Sequence, residues 1–349
     1  MKPMVQCGQD LASTFNRCVT NWLITDPTKL EIEDEQNLKN YQMLKQTDSK
    51  FIYLCGGRGK SVRRKPLNIA TCILVIIPAV LFWIFEAKWH CQYTNTALVV
   101  IFTYLWFLTL AFLLKASFCD AGILPRSIHY PFVVDLMMSE NQKHIPEEYH
   151  NTVFLPAKND KYKGVAVKYC STCHIWRPPR SSHCSVCDTC VLNHDHHCVF
   201  LNNCVGFRNY KYFLWFLSCC VSTCTLLVIL SFVQIFHYRW SSERTITTFR
   251  GSITKFPVGF LLALYGLLSL VYPGLLLAFH IFMSAFNSTT REYLFKARGN
   301  KKIFDVARAH ELFINLFINF VGIPRGISLL RFKEDYSHGD LRFKKMPTY

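Results

Sequence analysis

Several things are missing from this 349-residue chain, and each absence removes an interpretation. Residues 1–30 hold no continuous apolar run, so a cleavable signal peptide is not expected there. No internal repeat or low-complexity tract stands out. Acidic residues are scarce, with 23 Asp and Glu against 39 Lys and Arg and a net charge of +16. That excess is spread along the flanks of apolar runs rather than gathered in a patch. It therefore speaks for membrane topology and anionic lipid, and nucleic acid is not an expected partner. The middles of the longest apolar runs carry almost no ionisable side chain, which disfavours an ion path.

Those runs fall at roughly Ile69–Phe85, Ala97–Leu114, Phe213–Phe236 and Phe256–Phe286. Each approaches the ~20 apolar residues needed to cross a bilayer as a helix. Pro78 interrupts the first and Pro273 the fourth, which is tolerated where neighbours satisfy the freed carbonyl. Lys and Arg number 11 before the first run, 11 in the central 115–212 segment and 12 after residue 286. The 86–96 and 237–255 loops carry 1 and 4. The basic segments are therefore expected in the cytosol. The expected fold is an all-α polytopic membrane protein of four transmembrane helices, with a cytosolic cysteine-rich two-zinc module between spans two and three. Its divisions are a cytosolic N-terminal region (1–65), helices one and two (66–114), the loop with the module at about 165–210 (115–212), helices three and four (213–286), and a cytosolic C-terminal region (287–349). Residues 1–60 read as polar and mobile. An amphipathic stretch, Ile303–Val321, places Phe304, Ala307, Leu312, Phe313, Leu316, Phe317 and Phe320 on one helical face, as an interfacial helix would or one packed on the spans.

Seven of the 16 cysteines lie within residues 170–204. Cysteines clustered in a cytosolic segment point to metal rather than disulfides. Two tetrahedral zinc sites need eight thiolate or imidazole ligands. Cys170, Cys173, His183, Cys184, Cys187, Cys190, His197 and Cys204 supply them. Spacing does not fix how they divide. An interleaved division puts Cys170, Cys173, His183 and Cys190 on one ion and Cys184, Cys187, His197 and Cys204 on the other. Pro178-Pro179 and the short spacings predict knuckle turns and short strand pairs rather than helix. All eight positions are filled by protein, so both zincs are structural.

Cys198 is left over beside Asp195 and His196. A thiol is nucleophilic as thiolate. His196 can take the proton, and Asp195 can fix its tautomer, as in catalytic triads. The alternative is an idle cysteine or an alternative ligand. Arg177, Arg180, Arg208 and Lys211 are available for phosphates of a soluble carrier, or equally for lipid headgroups.

The pattern Cys-x2-Cys-x9-His-Cys-x2-Cys-x2-Cys-x4-Asp-His-His-Cys-x5-Cys resembles the signature of the DHHC protein S-acyltransferases. The resemblance implies acyl-CoA as donor, palmitoyl-CoA above all, with Cys198 as acyl carrier, Asp195 and His196 activating it, and the interleaved zinc division. Thr289-Thr290-x-Glu292 is similar to the family's TTxE motif, which sets the second threonine near the catalytic aspartate. Asn315, with Asn319 close by, is similar to a C-terminal asparagine that supports the structure near span three. The chain departs at Val199-Phe200, where most members carry Pro-Trp; Phe200 can still line an acyl cavity. KYCSTCHIWRPPRSSHC, GILPR at 122–126 and RGISLL at 325–330 resemble the fungal Ras-acylating branch. That branch implies a prenylated Ras-like substrate, a small accessory subunit and the endoplasmic reticulum, with the Golgi as the other candidate. The competing interpretation is a membrane-anchored zinc interaction module, such as a RING-like ubiquitin ligase, indifferent to loss of Cys198.

Overall fold

Four helices long and apolar enough to cross a bilayer occur among the described residues of the computed structural model. Span one is Leu67–Phe85, span two Thr96–Phe118, span three Tyr210–Phe236 and span four Pro257–Ala285. The structure describes residues 23–25, 50–63, 67–126, 152–157, 160–240, 247–299 and 309–323, and for 154–157, 160–166 and 309 the backbone alone. Phe304, Ala307 and the 325–330 motif lie outside them.

Pro78 cannot close its own helical hydrogen bond, so the Leu74 carbonyl is freed. Tyr265 of span four donates its hydroxyl to that oxygen at 2.7 Å, and Trp106 of span two reaches Val75 O at 3.0 Å. The proline turn of the helix thus becomes a junction of three spans. Thr109 and Thr223 join spans two and three at 3.0 Å. Gly266 lets span four close on span three, since a Cβ there would sit 2.6 Å from Val228 Cγ2. At the end remote from the cysteines, the fully buried Glu86 accepts Ser231 Oγ at 2.9 and 3.2 Å. His90 Nε2 lies 3.7 Å from the same carboxylate. The segments expected as plain loops here are partly helical, at Ala87–Tyr93 and Phe249–Lys255.

The opposite end carries the strands. β1 (Ile24–Thr25), β2 (Phe51–Leu54) and β3 (Gly59–Val62) form an antiparallel sheet. This corrects the expectation of a mobile N-terminal segment as far as residues 50–63. Phe51, Tyr53 and Val62 are buried against Cys184, Cys187, Val191 and Cys204, so the hairpin closes one side of the cysteine cluster. Lys60 is only 1 % exposed. Its ammonium donates to Asn203 Oδ1 at 3.1 Å and sits 4.2 Å over the Phe51 ring. Lys60→Met should cost roughly 1–3 kcal/mol, because Asn203 Oδ1 then stays buried without this donor. The thermal melt of the detergent-solubilised protein checks it; an unchanged melt would mean the bond contributes nothing.

β4 (Thr152–Ala157) and β5 (Asp160–Cys170) pair within the central loop, ahead of the cysteine module. Then follow β6 (Ile175–Trp176), β7 (Ser182–Cys184), β8 (Thr189–Val191), β9 (His196–Cys198) and β10 (Asn203–Val205). They make the hairpins β5–β6, β7–β8 and β9–β10. Beyond span four, Thr290–Arg298 and Ala309–Val321 are helical. The C-terminal helix docks on the spans by Leu312, Asn315, Leu316, Asn319 and Phe320, all half-buried. Phe313 and Phe317 are exposed, so the expected single apolar face divides into a docked side and an open one.

Candidate active site and metal centres

In a strand, alternate side chains point to opposite faces. In β7, His183 and Cys184 therefore part company. The register sets His183 beside Cys190, and that pair meets Cys170 and Cys173 of the preceding hairpin. In β9, His197 sits beside Cys204, and that pair meets Cys184 and Cys187. Each cluster is one hairpin's Cys-x2-Cys knuckle capped by the next hairpin's His–Cys pair, which is the interleaved division.

The donor geometry fits zinc. His183 Nδ1 lies 3.6, 3.4 and 3.9 Å from the sulfurs of Cys170, Cys173 and Cys190. His197 Nδ1 lies 3.7, 3.4 and 3.7 Å from those of Cys184, Cys187 and Cys204. A tetrahedron with Zn–N of about 2.0 Å and Zn–S of about 2.3 Å has edges of about 3.5–3.8 Å. His183 Nε2 faces Asp188 Oδ1 at 3.5 Å, the outer carboxylate that orients a ligating imidazole. The Cys184 and Cys187 sulfurs, ahead of burial, hold the Cys204 thiol well above the usual range. Three such crowded thiols ionise together only around a cation.

The register also reveals a repeat that composition hides, correcting the impression that there is none. Tyr169, His183 and His197 begin hairpins of one design. Cys170, Cys184 and Cys198 come next; Cys173, Cys187 and Leu201 follow three residues on. His174, Asp188 and Asn202 then take φ of 50°, 54° and 50°, the left-handed turn residue. Trp176, Cys190 and Cys204 pair back across to the first position. His174, with no role readable from sequence, is thus a turn residue. The constant spacing of Cys-x2-Cys/Leu and its cross-strand partner was the signal that could have exposed this.

Strand alternation sends His196 and Cys198 away from the zinc face that His197 occupies. His196 Nδ1 and Asp195 Oδ2 are 2.7 Å apart. The Cys198 thiol interacts with the same imidazole. Burial opposes the imidazolium, but the Asp195 and Cys198 hydrogen bonds outweigh it and push His196 up to about 9. Asp195 is 3 % exposed and accepts the Thr290 backbone N–H on Oδ1 at 2.8 Å. That N–H is unused because Thr290 opens a helix whose N-cap is Thr289. Thr289 Oγ1 accepts Glu292 N–H at 3.2 Å and Glu292 Oε2 accepts Thr289 N–H at 2.9 Å, a reciprocal capping box. The helix N-terminus aims its positive end at the Asp195 carboxylate.

Glu292 also binds Arg180, through Nε at 2.8 Å and Nη2 at 2.9 Å. Arg180 further donates to Asn287 Oδ1 and O. With these bonds Arg180 ties the cysteine module to span four, and any phosphate must compete with them. Arg177 donates to Lys168 O at 3.4 Å, and Arg208 Nε lies 3.8 Å from Asp120. Burial would raise the Glu292 carboxyl, but Arg180 and the Thr289 N–H hold it below its ordinary value. Such a group stabilises above the unfolded carboxylate pKa and stops doing so as pH falls through the lowered folded one. Acid melts should therefore show wild type losing stability below the usual carboxylate range, and Glu292→Gln losing less over that interval.

Asn315 donates to Ala285 O at 2.9 Å and Asn319 to Ser284 O at 3.3 Å. Both hold carbonyls at the end of span four, and their helix also packs on span three, where Trp215 Nε1 donates to Phe320 O at 3.0 Å. Sequence reasoning also missed His280 and Tyr210. His280 is buried, its ring 5.7 Å from that of His196, and its Nδ1 lies 3.1 Å from Tyr210 Oη.

Cys198 opens on a mainly apolar cavity of about 230 Å³ among the spans, lined by Thr71, Val75, Phe213, Thr223 and Tyr265. Phe200 lines its mouth, half over Tyr272 at 5.7 Å, and Thr71 Oγ1 donates to Phe200 O at 3.0 Å. A second, more polar cavity of about 550 Å³ lies at Asp195, with Arg180, Lys211, Asn193 and Asn319 on its walls.

The model of the DHHC palmitoyltransferase family matches residues 165–297. A palmitoyltransferase ERF2 of Debaryomyces hansenii is 50% identical over 347 residues, covering 97% of this chain and 93% of the relative. The palmitoyltransferase ERF2 of Saccharomyces cerevisiae is 38% identical over 333 residues, covering 92% and 87%. That of Schizosaccharomyces pombe is 32% identical over 292 residues, covering 80% and 78%. With the family's motif carried on two clusters of zinc geometry and set between the second and third of four membrane helices, the chain belongs to the DHHC palmitoyltransferase family.

Proposed function

We propose that this S-palmitoyltransferase works by ping-pong through Cys198, with acyl-CoA as donor. Cys198 Sγ attacks the thioester carbonyl; the bond to the CoA sulfur breaks, and His196 returns its proton to that leaving thiolate. In the second half, a substrate thiol passes its proton to His196 as its sulfur attacks the acyl-Cys198 carbonyl, and Cys198 leaves. Asp195 holds His196 Nδ1 throughout, so Nε2 does the proton work. General base help of this kind contributes roughly 10²–10⁴-fold. Thr290, Thr289 and Glu292 fix Asp195, and Asn315 fixes the end of span four beneath them. The two zincs supply folding energy and rigidity, with no open position for substrate.

The observation carrying this reading is that one thiol, Cys198, both lines the apolar cavity and meets the Asp195–His196 pair. The acyl chain occupies that cavity, with Phe200 at its entrance. CoA phosphates lie on the basic surface to which Arg177, Arg180 and Lys211 belong. The active face is cytosolic, by the distribution of Lys and Arg. The endoplasmic reticulum (or the Golgi), a prenylated Ras-like substrate and a small accessory subunit come from the branch resemblance. A prenyl chain and a basic face would concentrate both reactants at the membrane. A RING-like module has no use for the surplus thiol, and the chain's family is one of transferases.

Acyl labelling of purified protein with a palmitoyl-CoA analogue, read with and without hydroxylamine, is the test. A hydroxylamine-sensitive label is expected. Its absence from protein with intact zinc, even with the accessory subunit added, would overturn the mechanism.

A further inference from the structure

All four spans contribute to the walls of the apolar cavity at Cys198, and those walls are not equally firm. Thr109 and Thr223 bond span two to span three at 3.0 Å, and Trp106 of span two holds Val75 O of span one at 3.0 Å. Span four is fixed to span three where Tyr210 Oη meets His280 Nδ1 and Ser284 Oγ, each at 3.1 Å. The wall between spans one and four is thinner. Leu74 and Tyr272 line the cavity there, yet they are 54% and 58% exposed.

Span one is itself anchored on one side of Pro78 and loose on the other. Beyond the proline, Ala79 and Phe82 are buried with Phe102 and Leu227. Before it, among the described residues Leu67–Ile77, Asn68 alone is buried. In a bilayer such a segment gives up little when it moves, because lipid tails replace the neighbours it leaves. Pro78 lacks the N–H that would tie Leu74 O into the helix, so the ladder is open at the boundary between the two halves. The Tyr265 hydroxyl takes up that carbonyl at 2.7 Å and holds the loose half to span four. A long chain in the cavity has two ways out. Drawing it through the cysteine module into water costs about fourfold in equilibrium for each methylene exposed. Parting spans one and four keeps it in hydrocarbon throughout.

We propose that Leu67–Ile77 of span one is a lateral gate, hinged at Pro78 and latched by Tyr265, which passes alkyl chains between the bilayer and the cavity. Opening releases Leu74 O from Tyr265 Oη. Thr71, whose Oγ1 donates to Phe200 O at 3.0 Å, couples the gate to the cavity mouth, where the Phe200 ring lies 5.7 Å from that of Tyr272. The gate lets a newly acylated acceptor leave with its chain still in the membrane. The inference rests on the reading that this cavity receives an acyl chain, but its test needs only the Cys198 thiol.

The experiment places the protein in phosphatidylcholine vesicles and follows alkylation of Cys198 by two maleimides, read by mass spectrometry of its peptide. N-hexadecylmaleimide arrives from the bilayer and N-ethylmaleimide from water. Tyr265→Phe should speed the long reagent about fivefold, the weight of one lost hydrogen bond, and Pro78→Ala, which restores the helical bond, should slow it by at least as much. The ethyl reagent should react with both variants as with wild type. Equal changes for the two reagents, or a long reagent that Tyr265→Phe leaves at the wild-type rate, would overturn the gate. Full zinc content shows that a variant is folded; should Pro78→Ala fail on that count, Tyr265→Phe decides alone. Neither reagent draws on acyl-CoA, so acyl labelling that fails while this pattern holds leaves the gate standing and removes the acyl-carrier reading.

Discussion

Cys198→Ala should retain both structural zincs and the wild-type melting temperature while losing the acyl label and transfer, by at least ~10³-fold as expected when a covalent nucleophile is removed. The separation follows from strand alternation. His197 sends its Nδ1 to three sulfurs at 3.4–3.7 Å, and its neighbours in β9 point the other way. Cys198 belongs to neither four-ligand cluster. It packs instead with Leu113, Ala116 and Phe213 at the floor of the spans. A methyl group there costs little packing and leaves the Asp195–His196 pair in place. Zinc content and label, measured on the same preparation, decide the matter. Zinc lost along with the label would make Cys198 a ligand and end the assignment.

Cys187→Ala should behave in the opposite order, losing metal first and activity as a result. Cys187 Sγ lies 3.4 Å from His197 Nδ1 and 3.5 Å from Cys204 Sγ. Structural zinc binding is worth about 10–16 kcal/mol in small domains. Cys184, Cys187 and Cys204 pack directly against Phe51, Tyr53, Val62 and Val191, so loss of the ion loosens that apolar cluster as well. The expected result is one zinc per chain instead of two, a β9–β10 hairpin open to proteolysis, and acyl labelling reduced at least as far as in Cys198→Ala. Two zincs retained with labelling intact would place the second ion elsewhere.

The zinc ligands were legible because metal chemistry leaves few residue types and tight spacings. The spans were legible because hydrocarbon admits few polar side chains. Their observed ends lie within a few residues of the apolar runs. What stayed hidden depends on partners distant in sequence. Lys60 reads as surface charge in a polar tract, and only Asn203 and Phe51 make its burial tolerable. His280 sits in an apolar run, where a lone histidine usually marks a satisfied core position; Tyr210 and His196 give it meaning only in three dimensions. The threefold hairpin escaped notice because its third copy exchanges a cysteine for Leu201. The C-terminal helix reads as one apolar face in sequence because only the spans packed against it divide Leu312, Leu316 and Phe320 from the exposed Phe313 and Phe317.

The buried Lys60 has a consequence for how the protein is made. Lys60 and Asn203 stand 143 residues apart. At synthesis rates of about 5–20 residues per second, the finished β2–β3 hairpin waits roughly 7–30 s for its partner. Two membrane helices are threaded into the bilayer during that interval. A small hairpin is marginal by itself, so Phe51 and Tyr53 stay exposed until the zinc-bound strands arrive. The strands translated first are thus the last to find their partners, since the cysteine-bearing strands that cover them come later in the chain.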